Sequence, residues 1–281
     1  MTEREQANHA HPLRLSANLS MLFGDVPVAD RPAKAAAAGF DRVESWWPFA
    51  APVPDRTVVD GFCRSLDRAG VQLVSLNLDG GDTAAGDRGL LCIPGLGARV
   101  ADNLDSVLGI LERTGCRIVN ALYGNRDPRF GADEQTRTGL RRLVRVADRM
   151  SGIGGIVVLE TLNSVDSPRF PLTDIAVTAE IVRRANDLSR AGNVRLLLDT
   201  YHLATMGTDP AAAVHEFAPL IGHVQFADHP GRGRPGTGAV NFAAVERALT
   251  YVGYRGFVGL EYDPAAGPIK TEHPTPMRGI A

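Results

Sequence analysis

The chain has 281 residues, 44% hydrophobic and 22% charged, with a formal net charge of −2. Those values describe a folded globular chain and exclude a disordered or fibrous one. The balanced charge gives no electrostatic case for a nucleic-acid partner, and no apolar run reaches the roughly 20 residues that cross a membrane. The first dozen residues, MTEREQANHAHP, are polar and lack an apolar signal core. A loose N-terminal segment over 1–12 and a cytoplasmic location are expected. Cys63, Cys92 and Cys116 are odd in number and far apart. They form no zinc motif and are expected as small core residues of a reducing compartment.

Strand and helix patterns alternate along the chain. LRLSANLS (13–20) reads as a strand, and VADRPAKAAAAG as a helix ending at Gly39. DRVESWW (41–47) is a second strand, followed by a helix in TVVDGFCRSLDRAG. VQLVSLNL (71–78) is a third, followed by the Gly/Asp-rich loop DGGDTAAGDRGLLCIPG and a long helix over 97–115. CRIVNALYG (116–124) is a fourth. The second half continues with a basic helix over 134–151, a strand at 156–160, a helix near 173–190 and a strand at 194–199. A short helix at 210–217, a strand at 222–227, a helix at 241–253 and a strand at 257–262 complete the pattern. Eight alternating units imply parallel pairing through right-handed crossovers. The predicted fold is a single (β/α)8 TIM barrel over 13–264, with a Pro-rich, polar tail over 265–281.

Four polar residues stand at the ends of apolar strands in the second half: Glu160 in IVVLETLN, Asp199 in VRLLLDTYH, Gln225 in IGHVQFAD and Glu261 in FVGLEYDP. The gaps between them are 39, 26 and 36 residues. A barrel of eight units in about 250 residues uses roughly 31 per unit, so the spacing fits one carrier per strand end. The C-terminal strand ends are where such barrels keep their chemistry. Three carboxylates meeting there would repel one another unless a divalent cation held them. The oxygen ligands suit Mg²⁺ or Mn²⁺, with Co²⁺ tolerated by the same set. The bland alternative is ordinary strand-end acids, with Asp199 capping the next helix.

His202, three residues after Asp199, falls at the same mouth and could hold a substrate oxygen, or simply bond to backbone. ADHPGRGRPGTG (227–238) reads as a flexible loop in which Arg232 or Arg234 could reach an acidic substrate. GDTAAGDRG (81–89) lacks the Gly-Lys-Ser/Thr ending of a phosphate loop and reads better as a lid. Trp46 and Trp47 either wall the pocket or pack in the core.

Taken in order, SANLSMLFGDVP, GGDTAAGDRGLLCIPG, LETLN, LDTYH, HVQFADHPGRGRPGTGAVNF and GFVGLEY resemble the hydroxypyruvate isomerase family of xylose isomerase-like barrels. The resemblance runs over about 13–264. It implies that Glu160, Asp199, Gln225 and Glu261 bind the metal and that Glu160 and Glu261 are the catalytic pair. It further implies that His202 and Arg232 contact substrate, and that the chain is a homo-oligomer of dimeric or higher order. The implied reaction is aldose–ketose isomerisation of a small hydroxy-carbonyl acid, hydroxypyruvate to tartronate semialdehyde, through a metal-stabilised enediolate. Isomerisation of a 2-oxo-tetronate, 3-epimerisation of a ketose and dehydration of an inosose use the same scaffold. The dehydration needs a general acid that the sequence does not reveal. An endonuclease-IV-like DNA repair barrel would need a histidine-rich cluster of several metals, which the strand ends do not supply. A non-catalytic binding protein on the same barrel is the remaining class.

Overall fold

The computed structural model describes residues 13–266. The expected segment 1–12, and the expected tail beyond residue 266, lie outside the described residues. Eight parallel strands close into one barrel in chain order. They are β1 (Arg14–Asn18), β2 (Arg42–Ser45), β3 (Gln72–Asn77), β4 (Ile118–Asn120), β5 (Ile156–Glu160), β6 (Val194–Asp199), β7 (Ile221–Phe226) and β8 (Phe257–Leu260). β1 pairs with β8 through Arg14–Phe257 to Ala17–Leu260, which closes the ring. The predicted (β/α)8 barrel is therefore the observed one.

The helices follow the strands: α1 (Leu19–Leu22), α2 (Arg31–Ala37), α3 (Arg56–Ala69), α4 (Gly97–Thr114), α5 (Ala132–Ser151), α6 (Ile175–Leu188), α7 (Thr200–Thr205), α8 (Pro210–Phe217) and α9 (Phe242–Tyr251). Aspartate or asparagine starts several of them. Asp55, Asp174, Asp209 and Asn241 each accept a backbone N–H of the first turn. α1 and α7 were not anticipated, because each is a turn or so of helix directly abutting a strand. Both are started by strand-end side chains, Asn18 and Asp199, that accept the N–H groups of the residues two and three positions on.

The core is the layer between strands and helices. Val119, Val157, Leu159, Leu196, Leu198, Val224 and Val258 on the strands meet Leu111, Leu143, Ala147, Val182 and Leu249 on the helices, all essentially without exposure. The three cysteines are buried in that layer as free thiols. Burial pushes the Cys116 thiol up to about 12 and Cys92 up to about 11, so neither carries a thiolate near neutral pH. No helix among the described residues is long and apolar enough to cross a membrane.

Candidate active site at the barrel mouth

A cavity of about 830 Å³ opens at the C-terminal strand ends. Its wall includes Trp46, Trp47, Glu160, His202, Arg232 and Glu261. Every predicted site residue is buried or half-buried at this end of the barrel. Glu160 ends β5, Asp199 ends β6, Gln225 lies on β7 beside Asp199, and Glu261 follows β8 by one residue.

The carboxylates are held individually. Glu261 Oε1 accepts Asn18 Nδ2 (2.9 Å) and Trp46 Nε1 (2.6 Å), and its Oε2 accepts Arg232 Nη2 (2.5 Å). Glu160 Oε2 accepts Asn120 Nδ2 at 2.8 Å. Asp199 Oδ1 accepts the N–H groups of Tyr201 (2.7 Å) and His202 (3.4 Å), whereas its buried Oδ2 has no hydrogen-bond donor among the described residues. Asp199 thus caps α7 with one oxygen and presents the other, which lies 3.7 Å from Arg232 Nη2.

Burial dominates the protonation of this cluster. It drives Glu160 well above the carboxylate range, with the charges of Glu261 and Asp199 adding to the effect. Burial lifts Asp199 to about 6 against the opposing pull of Arg232. Glu261 rises to about 7 for the same reason, again opposed by Arg232 and reinforced by Asp199 and Glu44. Arg232 loses stability to burial but gains more from Glu261, Asp199 and Glu160, so it stays charged. Its backbone sits in the left-handed region at φ 54°, which a non-glycine residue adopts only when its surroundings hold it there.

The loop that carries Arg232 is organised by a buried aspartate. Asp228 accepts four backbone N–H groups, from His229, Gly236, Gly238 and Val240, at 2.8–3.0 Å. The segment expected as a flexible loop is therefore wrapped around one carboxylate. Arg234 does not line the cavity, and Arg232 does.

His202 is neutral, because burial lowers its pKa well below 6.5 and the charges of Arg232 and Arg88 lower it further. Its Nδ1 accepts the backbone N–H of Asn163 at 3.1 Å. That bond assigns the ring proton to Nε2. Nε2 lies 3.7 Å from Glu160 Oε1 and 3.8 Å from Asp199 Oδ2. Glu160, Asp199 and His202 are close enough together to share a cation. A protonated Nε2 has no lone pair for a metal, however, so His202 is a donor at this site and not a ligand.

Gln225 fits the ligand role better. Its Nε2 donates to Glu44 Oε1 at 2.6 Å, which leaves a buried Oε1 without a donor among the described residues. Two buried acceptors, Asp199 Oδ2 and Gln225 Oε1, thus lack donors among three carboxylates. That donor set fits a hard divalent cation.

Glu44 was not recognised as a site residue from sequence. It is buried on β2 and accepts Asn18 Nδ2 (3.0 Å) and Gln225 Nε2, and it bonds His223 Nε2 (2.7 Å). Burial opposes its charge, yet His223, Gln225 and Asn18 together hold its carboxyl below the usual range. Gly259 makes room for it, since a Cβ there would lie 2.2 Å from Glu44 Oε2. Trp46 bonds Glu261, and Trp47 stacks edge-on against Phe49 at 4.9 Å. Both tryptophans wall the cavity.

The sequence model of the xylose isomerase-like TIM barrel family matches residues 32–275. The chain belongs to that family. It is 41% identical over 257 residues to the putative hydroxypyruvate isomerase of Streptomyces coelicolor, covering 91% of this chain and 92% of that one. It is 32% identical over 252 residues to the hydroxypyruvate isomerase of Escherichia coli, covering 90% and 94%. A solved structure titled AP endonuclease, family 2, from Brucella melitensis superimposes with a TM-score of 0.82 at 31% identity, over 92% of this chain and 96% of that one.

Proposed function

We propose that the protein isomerises a small α-hydroxy-carbonyl acid, with hydroxypyruvate to tartronate semialdehyde as the leading reaction. The observation that carries this reading is the pair Glu160 and Glu261: two buried carboxyls at the ends of β5 and β8 that face one cavity. Shuttling a proton between adjacent carbons needs groups of that kind. The relatives named hydroxypyruvate isomerase support the substrate class.

Glu160 is the better-placed base, because no side chain among the described residues donates to its Oε1 within hydrogen-bond distance. It removes the proton beside the carbonyl and gives an enediolate. Glu160 or the opposite glutamate, Glu261, returns a proton to the neighbouring carbon. His202 donates from Nε2 to a substrate oxygen, and Arg232 balances the cluster's charge while touching the reacting end. Glu160, Asp199, Gln225 and Glu261 would hold a divalent cation, Mg²⁺ or Mn²⁺ with Co²⁺ also accommodated. When bound, that cation would supply a Lewis acid for the negative charge developing on the two substrate oxygens.

A four-carbon 2-oxo acid is the second reading, supported by a relative named 2-oxo-tetronate isomerase in Haemophilus influenzae at 30% identity. DNA repair chemistry fits less well. Among the described residues, His202 is the one histidine lining the cavity and the one histidine in the group that could hold a metal, in place of a histidine-rich metal cluster.

The test is turnover of hydroxypyruvate in D₂O followed by proton NMR, with and without Mg²⁺, Mn²⁺ or Co²⁺. Tartronate semialdehyde carrying solvent deuterium is expected. Glu160→Gln and Glu261→Gln should each lose about 10²- to 10⁴-fold in kcat. Full turnover by either variant would remove the paired-glutamate mechanism.

A further inference from the structure

We infer that Arg88 is the carboxylate-binding residue of this cavity and selects acids over neutral sugars; the inference deepens the proposed function and rests on it. Three arginines line the cavity: Arg88, Arg99 and Arg232. Two are already paired with carboxylates. Arg99 Nε holds Asp79 at 2.7 Å, and Arg232 holds Glu261. Arg88 has no carboxylate within ion-pair distance among the described residues.

The acids of the cavity wall are also committed elsewhere. Asp79 pairs with Arg99, Asp82 Oδ1 accepts the N–H of Ala85, and Asp87 Oδ2 accepts that of Asp82. Asp166 Oδ2 accepts Asn163 Nδ2 and Tyr201 Oη. Of the three guanidiniums in the cavity wall, that of Arg88 is the one without a carboxylate partner among the described residues.

The geometry of that guanidinium suits a carboxylate. Arg88 Nη1 donates to the carbonyls of Asp87 (2.8 Å) and Thr83 (3.2 Å). No described residue accepts from Nε or Nη2. Those two atoms form the edge of the fork that grips a carboxylate with two parallel bonds. Anchoring Nη1 fixes the plane in advance and reduces the entropy lost on binding.

The loop beneath is built to hold this position. Gly89 N–H donates to Gly80 O, Asp87 N–H to Asp82 O and Gly86 N–H to Thr83 O. Asn125 Nδ2 ties Gly86 O to the segment after β4. Gly89, next to Arg88, bridges Tyr123 so closely that a Cβ would lie 2.1 Å from Leu122 O. With most of its N–H groups spent internally, the loop offers no cradle for phosphate and presents Arg88 instead. Arg88 lines the same cavity as His202, Glu160 and Glu261.

The experiment compares wild type, Arg88→Gln and Arg88→Lys. Hydroxypyruvate and dihydroxyacetone differ only in carrying a carboxylate or a hydroxymethyl group. The ratio of their kcat/KM values should fall about 10- to 100-fold in Arg88→Gln, with partial recovery in Arg88→Lys. Calorimetric binding of the inert acid D-glycerate should weaken by a similar factor, while Mn²⁺ affinity and Tm stay near wild type. An unchanged ratio, or unchanged glycerate affinity in a folded Arg88→Gln, overturns the proposal. If wild type turns over neither substrate but binds glycerate through Arg88, the isomerase reading fails and the acid site stands.

Discussion

Cation binding at the barrel mouth should expel protons, and the number is set by the carboxylates. Without a cation, Asp199 titrates at about 6 and Glu261 at about 7, with Glu160 driven well above the usual range. At pH 6 the cluster therefore holds more than one proton. A carboxylate that ligates a metal is ionised, so Mn²⁺ binding at pH 6 should release between about one and three protons. Each released proton steepens the apparent affinity by about tenfold per pH unit, about 1.4 kcal/mol. Between pH 6 and 8 the affinity should rise on the order of 10²-fold or more. The neighbours do not blur this window. His202 is already neutral, Arg232 stays charged and Glu44 stays ionised.

The same shifts fix the sign of the stability change. A carboxyl raised in the folded state carries no penalty below its unfolded pKa and the full penalty above its folded one. The metal-stripped protein should thus lose stability as pH rises from about 4 to about 7. Lifting Asp199 from 3.8 to about 6 amounts to about 3 kcal/mol. That corresponds to about 6–12 °C in Tm for a chain of this size. His202 acts in the opposite sense, its contribution being lost as pH falls through 6.5. The quantity to follow is therefore the difference between stripped and Mn²⁺-loaded protein. Titration calorimetry at pH 6 in two buffers of unlike ionisation enthalpy measures the proton release directly. Equal heats in both buffers, with a flat Kd from pH 6 to 8, would refute the reasoning.

Two further predictions concern the layer beneath the cluster. Gly259→Ala places a methyl group against Glu44 and should cost about 1–3 kcal/mol by chemical denaturation, with weaker Mn²⁺ binding. An unaltered midpoint would mean that Glu44 does not need its present position. Glu44→Gln should release the Gln225 amide from its fixed orientation and weaken Mn²⁺ about 10- to 100-fold. Wild-type affinity in a folded Glu44→Gln would show that the amide keeps its orientation without the carboxylate.

The barrel was legible because its signal repeats. Eight short aliphatic runs separated by helical patterns leave few topologies, and each predicted strand falls on an observed one. The site was legible only in its second half. The rule that found Glu160, Asp199, Gln225 and Glu261, a polar side chain ending an apolar strand, applies equally to Asn18, Glu44, Asn77 and Asn120. Of these, Asn18 and Asn120 bond the glutamates directly, and Glu44 orients the glutamine. Amides at strand ends read as turn residues in a sequence, since asparagine is favoured there for backbone reasons. Only the closed ring brings β1 beside β8 and shows that Asn18 reaches Glu261.

Asp199 marks the limit of that kind of reading more sharply. Helix capping and metal binding look like rival explanations of one aspartate when only its neighbours in sequence are known. The carboxylate has two oxygens, and the turn into α7 aims them differently. Oδ1 takes the N–H groups of Tyr201 and His202, and Oδ2 is left buried without a donor. The cap fixes the rotamer, and the fixed rotamer directs the free oxygen to the cluster. The same logic governs Gln225, whose Nε2 is tied to Glu44 so that Oε1 is free. It governs His202 as well, whose Nδ1 is engaged by Asn163 so that Nε2 carries the proton. In all three residues one polar atom is spent on the scaffold to define what the other offers the site. A single-residue motif cannot show that division of labour, because it depends on which atom the fold has already used.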